Sequence, residues 1–161
     1  MSTVRWGMIG CGSVTELKSG PAFYKAPGSA LVAVMGRREE AVRDYAARHG
    51  IGRFYTDAQA LINDPEVDAV YIATPPDSHL EYSLMVAAAG KHCCVEKPMA
   101  LNAGQSREMQ QAFAEVCNAL APIARATRCW NRVALHHMTY HDLRAKFPLV
   151  GSQMVCNAIY S

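Results

Sequence analysis

No two cysteines in this chain are spaced C-x-x-C, although there are six of them: Cys11, Cys93, Cys94, Cys117, Cys129 and Cys156. Their spacing argues against a zinc site, and no metal is expected. The opening residues Met1-Ser2-Thr3-Val4-Arg5 lack the basic and then apolar profile of a signal peptide. The cysteines therefore read as reduced, buried thiols of a cytoplasmic protein. No apolar run reaches the length of a membrane span, so no membrane partner is expected. An excess of charge of one sign is also lacking. Sixteen Lys and Arg against 14 Asp and Glu leave a net +2, which makes no case for nucleic acid or an anionic surface. There is no internal repeat and no low-complexity segment. What remains is 161 residues, half of them apolar and 19% charged. That is the composition of one globular domain with a real core, and too little chain for two.

The most informative stretch comes first. Val4 to Ile9 is a short apolar run that predicts a buried strand, and it ends abruptly in Gly10-Cys11-Gly12. A helix-compatible stretch follows from Ser13. Strand, glycine turn and helix form the context that a dinucleotide fingerprint needs. Gly10 permits the tight turn. Gly12, without a Cβ, lets the backbone approach a pyrophosphate, and the amides of the next helix face that charge. The third glycine of the fingerprint is absent, because Thr15 stands there. Taken alone, the pattern fits a structural turn equally well.

Apolar runs then alternate with helical patterns. The first helix is expected to break at Gly20-Pro21. Leu31 to Met35 predicts a second strand, apolar throughout as a strand covered on both faces should be. A helix over 39–49, stopped by Gly50, carries Ala41, Val42, Tyr45 and Ala46 on one face. Phe54-Tyr55 predicts a short strand, and Thr56-x-x-Gln59 the capping box of a brief helix. Val67 to Ala73 is the fourth strand. Ser78-x-x-Glu81 reads as a second capping box, for a helix ending before Gly90. Cys93 to Val95 is the fifth strand, and Asn102-x-x-Gln105 opens a long helix. Such alternation means an α/β fold: a Rossmann-type, doubly wound parallel sheet. Its ligands sit at the carboxyl ends of the strands. Gly10, Gly12, Gly36, Arg37, Thr74, Pro75, Glu96 and Lys97 are thereby expected around one crevice.

Two strand ends sharpen the chemistry. The second strand would end in Asp or Glu to grip the ribose hydroxyls of NAD, and here it ends in Gly36-Arg37-Arg38. The glycine removes a carboxylate that would repel a 2′-phosphate, and Arg37 offers a fork of donors. The bland alternative is a decorated helix start with Glu39 and Glu40. Two arginines there oppose the helix dipole, so an anion nearby is the better account, and NADP is favoured with NAD possible. The fifth strand ends in Glu96-Lys97-Pro98, where Lys97 is placed to donate to a substrate oxygen or the cofactor ribose. Alone, that triplet is explained as well by a charge pair and a turn. Thr74-Pro75-Pro76-Asp77-Ser78-His79 reads as a rigid turn capped by Asp77 or Ser78. His79 by default is a packing or hydrogen-bonding residue.

Together these stretches resemble the N-terminal domain of the glucose–fructose oxidoreductase / inositol dehydrogenase / MocA-like family. The resemblance rests on Gly7 to Gly12, Leu31 to Arg37, Val67 to Pro76 with His79, and Ala89-Gly90-Lys91 leading to Glu96-Lys97-Pro98. It covers 4 to about 118. The resemblance implies an NAD(P)-dependent oxidoreductase acting by hydride transfer on sugars, polyols and related compounds. It implies that Gly10, Gly12 and the backbone of Ser13 and Val14 hold the pyrophosphate, while Arg37 and Arg38 meet the 2′-phosphate. Thr74, Pro75 and His79 would line the cofactor cleft with Glu96, and Lys97 would be the catalytic residue by the nicotinamide. Thr15, and Pro76 where the family often has asparagine, depart from its pattern.

Residues 119–161 do not follow the family. Neither the strand expected after the long helix nor the family's Asp/His pair is found, so the substrate domain is expected to be missing. Residues 1–119 hold 11 Lys and Arg against 13 Asp and Glu, whereas 120–161 hold 5 against 1. That break predicts an atypical tail from truncation, splicing or a frame shift, docking poorly or partly disordered. His136, His137 and His141 cluster there without a carboxylate pattern, which reads as accident. Two classes of function remain: an oxidoreductase or its cofactor domain, and a non-catalytic nucleotide-binding or interaction module. Turnover would separate them.

Overall fold

A computed structural model describes residues 3–112 and 114. The expectations for residues 119–161, the histidine cluster and the tail included, lie outside the described residues. Five parallel strands form one sheet in the order β3-β2-β1-β4-β5. They are β1 (Val4–Ile9), β2 (Ser29–Met35), β3 (Arg53–Tyr55), β4 (Ala69–Ile72) and β5 (His92–Val95). The chain crosses from β1 to β2 through α1 (Ser13–Leu17) and α2 (Gly20–Lys25), and to β3 through α3 (Glu39–Arg48). It then returns past β1 by α4 (Ala58–Asn63), and α5 (His79–Ala88) joins β4 to β5. A further helix, α6, runs over 103–112. The strand order reverses between β1 and β4, and a doubly wound sheet opens its crevice there.

Alternation along each strand divides the core in two. Ile9, Ala33, Met35, Val70 and Ile72 meet Leu61 and Ile62 of α4 and Val86 of α5 on one face. Met8, Val34 and Tyr71 meet Val42, Tyr45 and Ala46 of α3 on the other. Both faces are covered, which accounts for the nearly unbroken apolar character of β1, β2 and β4.

The local signals were uneven. The first helix breaks just before Gly20, and Gly20-Pro21 begins the next one, Pro21 sitting in its first turn where the missing N–H costs nothing. Asn102 accepts from the Gln105 N–H at 3.0 Å, as its box predicts, while the Gln105 side chain reaches the Leu101 N–H. The Thr56 box is off by one residue: Asp57 caps α4, accepting from the Ala60 N–H at 2.8 Å. A carboxylate is the better acceptor, and it displaced the hydroxyl. Ser78 does not cap α5 either. Its own backbone is already helical in a 3-10 turn over Pro76–Ser78, and its hydroxyl lies 2.8 Å from the Thr74 hydroxyl and 2.9 Å from the Pro75 carbonyl.

Candidate active site: a crevice at the reversal of strand order

The turn leaving β1 is held from both sides. Gly10 has φ +107°, its N–H donates to the Met35 carbonyl at 2.9 Å, and a Cβ there would lie 2.8 Å from the Ala73 carbonyl oxygen. Only glycine fits such a backbone. Gly12 is different, since a Cβ on it would meet nothing within 4 Å and would project into open space. Thr15, fully buried, closes the turn on itself. Its Oγ1 accepts from the Gly12 N–H at 3.0 Å and donates to the Gly12 carbonyl at 2.9 Å. The Gly12 amide is therefore occupied. The N–H groups of Ser13 and Val14, first in α1, have no helical acceptor and remain for a ligand. Close packing in this corner falls on Gly20, whose Cβ would come within 1.8 Å of the Thr15 carbonyl oxygen. That carbonyl also accepts from the Tyr45 hydroxyl at 2.9 Å.

A crevice of about 630 Å³ opens over this turn. It is lined by Gly10, Gly12, Gly36, Arg37, Thr74 and Pro75, six of the eight strand-end residues, and by Arg38, together with Cys11, Ala41, Val42, Asp77, Ser78 and Tyr82. Tyr82 escaped the sequence reading, yet it stands one helical turn beyond Ser78 and so shares its face. Arg37 and Arg38 are exposed, and neither guanidinium makes a hydrogen bond or ion pair among the described residues. Their neighbour Glu39 pairs instead with Arg43. Burial, with the nearby Glu16, pushes the Cys11 thiol up to about 11, so it lies neutral in the crevice.

Five expected members do not bring their side chains to this crevice. Ser13 and Val14 are exposed beside it and can reach it only by their backbone. His79 is fully buried, with Nε2 2.7 Å from the Thr74 carbonyl oxygen and Nδ1 3.0 Å from that of Pro98. It stands behind the crevice wall and ties two turns together. Glu96 and Lys97 lie at the carboxyl end of β5 but line a separate cavity of about 680 Å³, with Val95, Met99 and Met109. The expectation of one crevice for all eight strand-end residues is thus corrected: a place at a strand end fixes the edge of the sheet, not the direction of the side chain. Glu96 turns to Tyr71, whose hydroxyl donates to it at 2.5 Å, and it accepts the Lys97 N–H at 3.0 Å. The Tyr71 hydroxyl, followed by the Lys97 amide, holds the Glu96 carboxyl below its usual range. Burial, then Glu96, pushes the Tyr71 phenol up.

The crevice fits a dinucleotide on its own terms. The space beside Gly12 is open, the Ser13 and Val14 amides have no helical acceptor, and two guanidinium groups without partners among the described residues line the crevice. A parallel sheet with this turn at its switch point defines a nicotinamide-dinucleotide-binding Rossmann domain. Residues 4–122 match the glucose–fructose oxidoreductase / inositol dehydrogenase / MocA family model, described as an oxidoreductase family with an NAD-binding Rossmann fold. The chain belongs to that family. An oxidoreductase of Formosa agariphila is 52% identical over 111 residues, 69% of this chain and 35% of that protein. The 1,5-anhydro-D-fructose reductase of Ensifer adhaerens is 38% identical over 142 residues, 88% of this chain and 41% of its own. The chain thus spans well under half the length of these curated relatives. Among solved structures, the 3-ketoreductase KijD10 of Actinomadura kijaniata, in complex with TDP-benzene and NADP, superposes with TM-score 0.67 at 25% identity. The match covers 78% of this chain and 42% of that one. The WlbA dehydrogenase of Bordetella pertussis, in complex with NADH and UDP-GlcNAcA, gives TM-score 0.64 at 28% identity, covering 70% and 34%.

Proposed function

We propose that this chain is the cofactor-binding domain of a cytoplasmic, NADP-preferring oxidoreductase that moves a hydride to or from a sugar- or polyol-like substrate. The observation that carries the cofactor choice is the pair Arg37 and Arg38, unpaired at the end of β2 where an NAD-binding domain would carry a carboxylate. The Ser13 and Val14 amides hold the pyrophosphate across Gly10 and Gly12, and the arginines grip the 2′-phosphate. Thr74 and Pro75 form the opposite wall. Bound there, the nicotinamide supplies hydride acceptance or donation. Lys97, which lines the second cavity at the same carboxyl edge, holds the proton that moves at the substrate oxygen, while Glu96 stays with Tyr71. The sugar-like substrate class is supported by the reductase and the sugar-nucleotide complex just described. Cys11, Cys93 and Cys94 are free thiols, which accords with a reducing compartment.

The test is thermal. NADPH raises the melting temperature more than NADH at equal concentration, a tenfold affinity ratio near saturation being worth about 1.4 kcal/mol. Replacing Arg37 and Arg38 by Ala removes the difference. Equal shifts for both cofactors in the unmodified chain would refute the preference.

A further inference from the structure

Lys97 follows directly on a carboxylate in sequence, and yet its exposed ammonium makes no ion pair among the described residues. The reason lies in a chain of hydroxyls behind it. The Ser19 hydroxyl, in the turn between α1 and α2, lies 2.6 Å from the Tyr71 hydroxyl. The Tyr71 hydroxyl in turn lies 2.5 Å from Glu96 Oε1, and the second Glu96 oxygen accepts the Lys97 N–H. A carboxylate only accepts, so Tyr71 donates to Glu96 and Ser19 donates to Tyr71. Tyr71 itself cannot swing away. It is 3% exposed, and its ring lies 4.6 Å from that of Phe23, centroid to centroid.

We infer that Tyr71 is a positioning residue: by holding the Glu96 carboxylate toward Ser19, it keeps the Lys97 ammonium unpaired and open to a ligand oxygen. Without the Tyr71 hydroxyl the carboxylate is released beside an ammonium one residue away, and the two close into an exposed ion pair. The use made of the open ammonium, proton transfer at a substrate oxygen, rests on the function proposed above. Its openness does not.

The experiment measures the rate at which Lys97 is modified by an amine-acylating reagent in the full chain, without dinucleotide. Mass spectrometry follows the products, with exposed Lys18 and Lys25 as internal references. Tyr71→Phe keeps the ring and its packing, and slows Lys97 labelling relative to Lys25 by about two- to fivefold, the reach of an exposed ion pair. Adding Glu96→Gln to that variant restores the parent rate, because an amide cannot neutralise the ammonium. Unchanged labelling in folded Tyr71→Phe, or slowing that Glu96→Gln does not reverse, overturns the inference. Glu96→Gln alone guards against a Tyr71 variant that does not fold. Its Lys97 labels less than about twofold faster than the parent's, since the carboxylate acts on the ammonium only from a distance, and a rise of about two- to fivefold would show that Glu96 pairs with it in the parent, which also overturns the inference. Because no cofactor is present, the result is independent of the melting test of NADP preference.

Discussion

The two edges of the one sheet are built on opposite terms. At the amino edge Arg5, Arg53, Asp64, Asp68 and Lys91 all have partners. Arg5, in β1, donates to both oxygens of Asp68, just ahead of β4, at 3.0 and 2.7 Å and to Glu66 at 2.9 Å. Asp64, nearly buried, accepts from Arg53, the Tyr55 hydroxyl and the Glu66 N–H. Burial pushes its carboxyl up, but these donors outweigh burial and hold it below its usual range. Lys91, also buried, donates to the Asp64 carbonyl, and burial pushes its ammonium down. At the carboxyl edge Arg37, Arg38 and Lys97 have no such partners among the described residues. Both edges end the same strands with the same kinds of residue. A closed edge fastens the fold, and the open one leaves donors for a ligand.

Substitutions at the closed edge should therefore change stability and leave binding alone, and those at the open edge the reverse. The largest effect is expected for Asp64→Ala. It strands a half-buried tyrosine hydroxyl and a part-buried backbone amide, and should lower unfolding free energy by about 1–3 kcal/mol in denaturant titrations. The ratio of NADPH to NADH affinity should stay unchanged. Next is Gly12→Ala at the open edge. Its Cβ meets no protein atom, so the unliganded melting curve should not move, while dinucleotide affinity measured by nicotinamide fluorescence should fall roughly tenfold. Loss of both together would erase the contrast between the edges. The smallest effect is a pH dependence. The Arg5 side chain, then its N–H, holds the Asp68 carboxyl below its usual range against the opposing pull of burial. A depressed folded-state pKa contributes stability that is full above the unfolded value, about 3.9, and is lost as pH falls through the lowered one. The stability gap between the parent and Asp68→Asn should accordingly be constant above about pH 5 and close in acid. Added salt should shrink it, because both partners are a third exposed or more.

What the sequence showed of this molecule follows the range of the forces involved. The strands, the alternation and the glycine turn were legible because they depend on periodicity and on a backbone geometry that one residue type satisfies. Gly10, Gly12, Gly36, Arg37, Thr74 and Pro75 of the crevice were found by counting strand ends, and Cys11 and Tyr82 were not. Hydrogen-bond competition was not legible. Asp57 against Thr56 was decided by which side chain accepts better, and Ser78 was claimed by Thr74 and Pro75 before it could cap. Neither the direction of Glu96 nor the burial of His79 has a local signature. Each is settled by a partner at least 19 residues distant in the chain, Tyr71 for one and Pro98 for the other.

The His79 ring sits with a carbonyl at each nitrogen, one from the turn after β4 and one from the turn after β5. An imidazole has a fixed width, so the ring acts as a ruler between those turns. Thr74 belongs to the wall of the crevice, and Pro98 adjoins the lysine that faces the second cavity. The span between the two cavities is thus gauged by a flat, stiff object rather than by a loop, and a longer or floppier side chain at position 79 would lose calibration even where it preserved the fold.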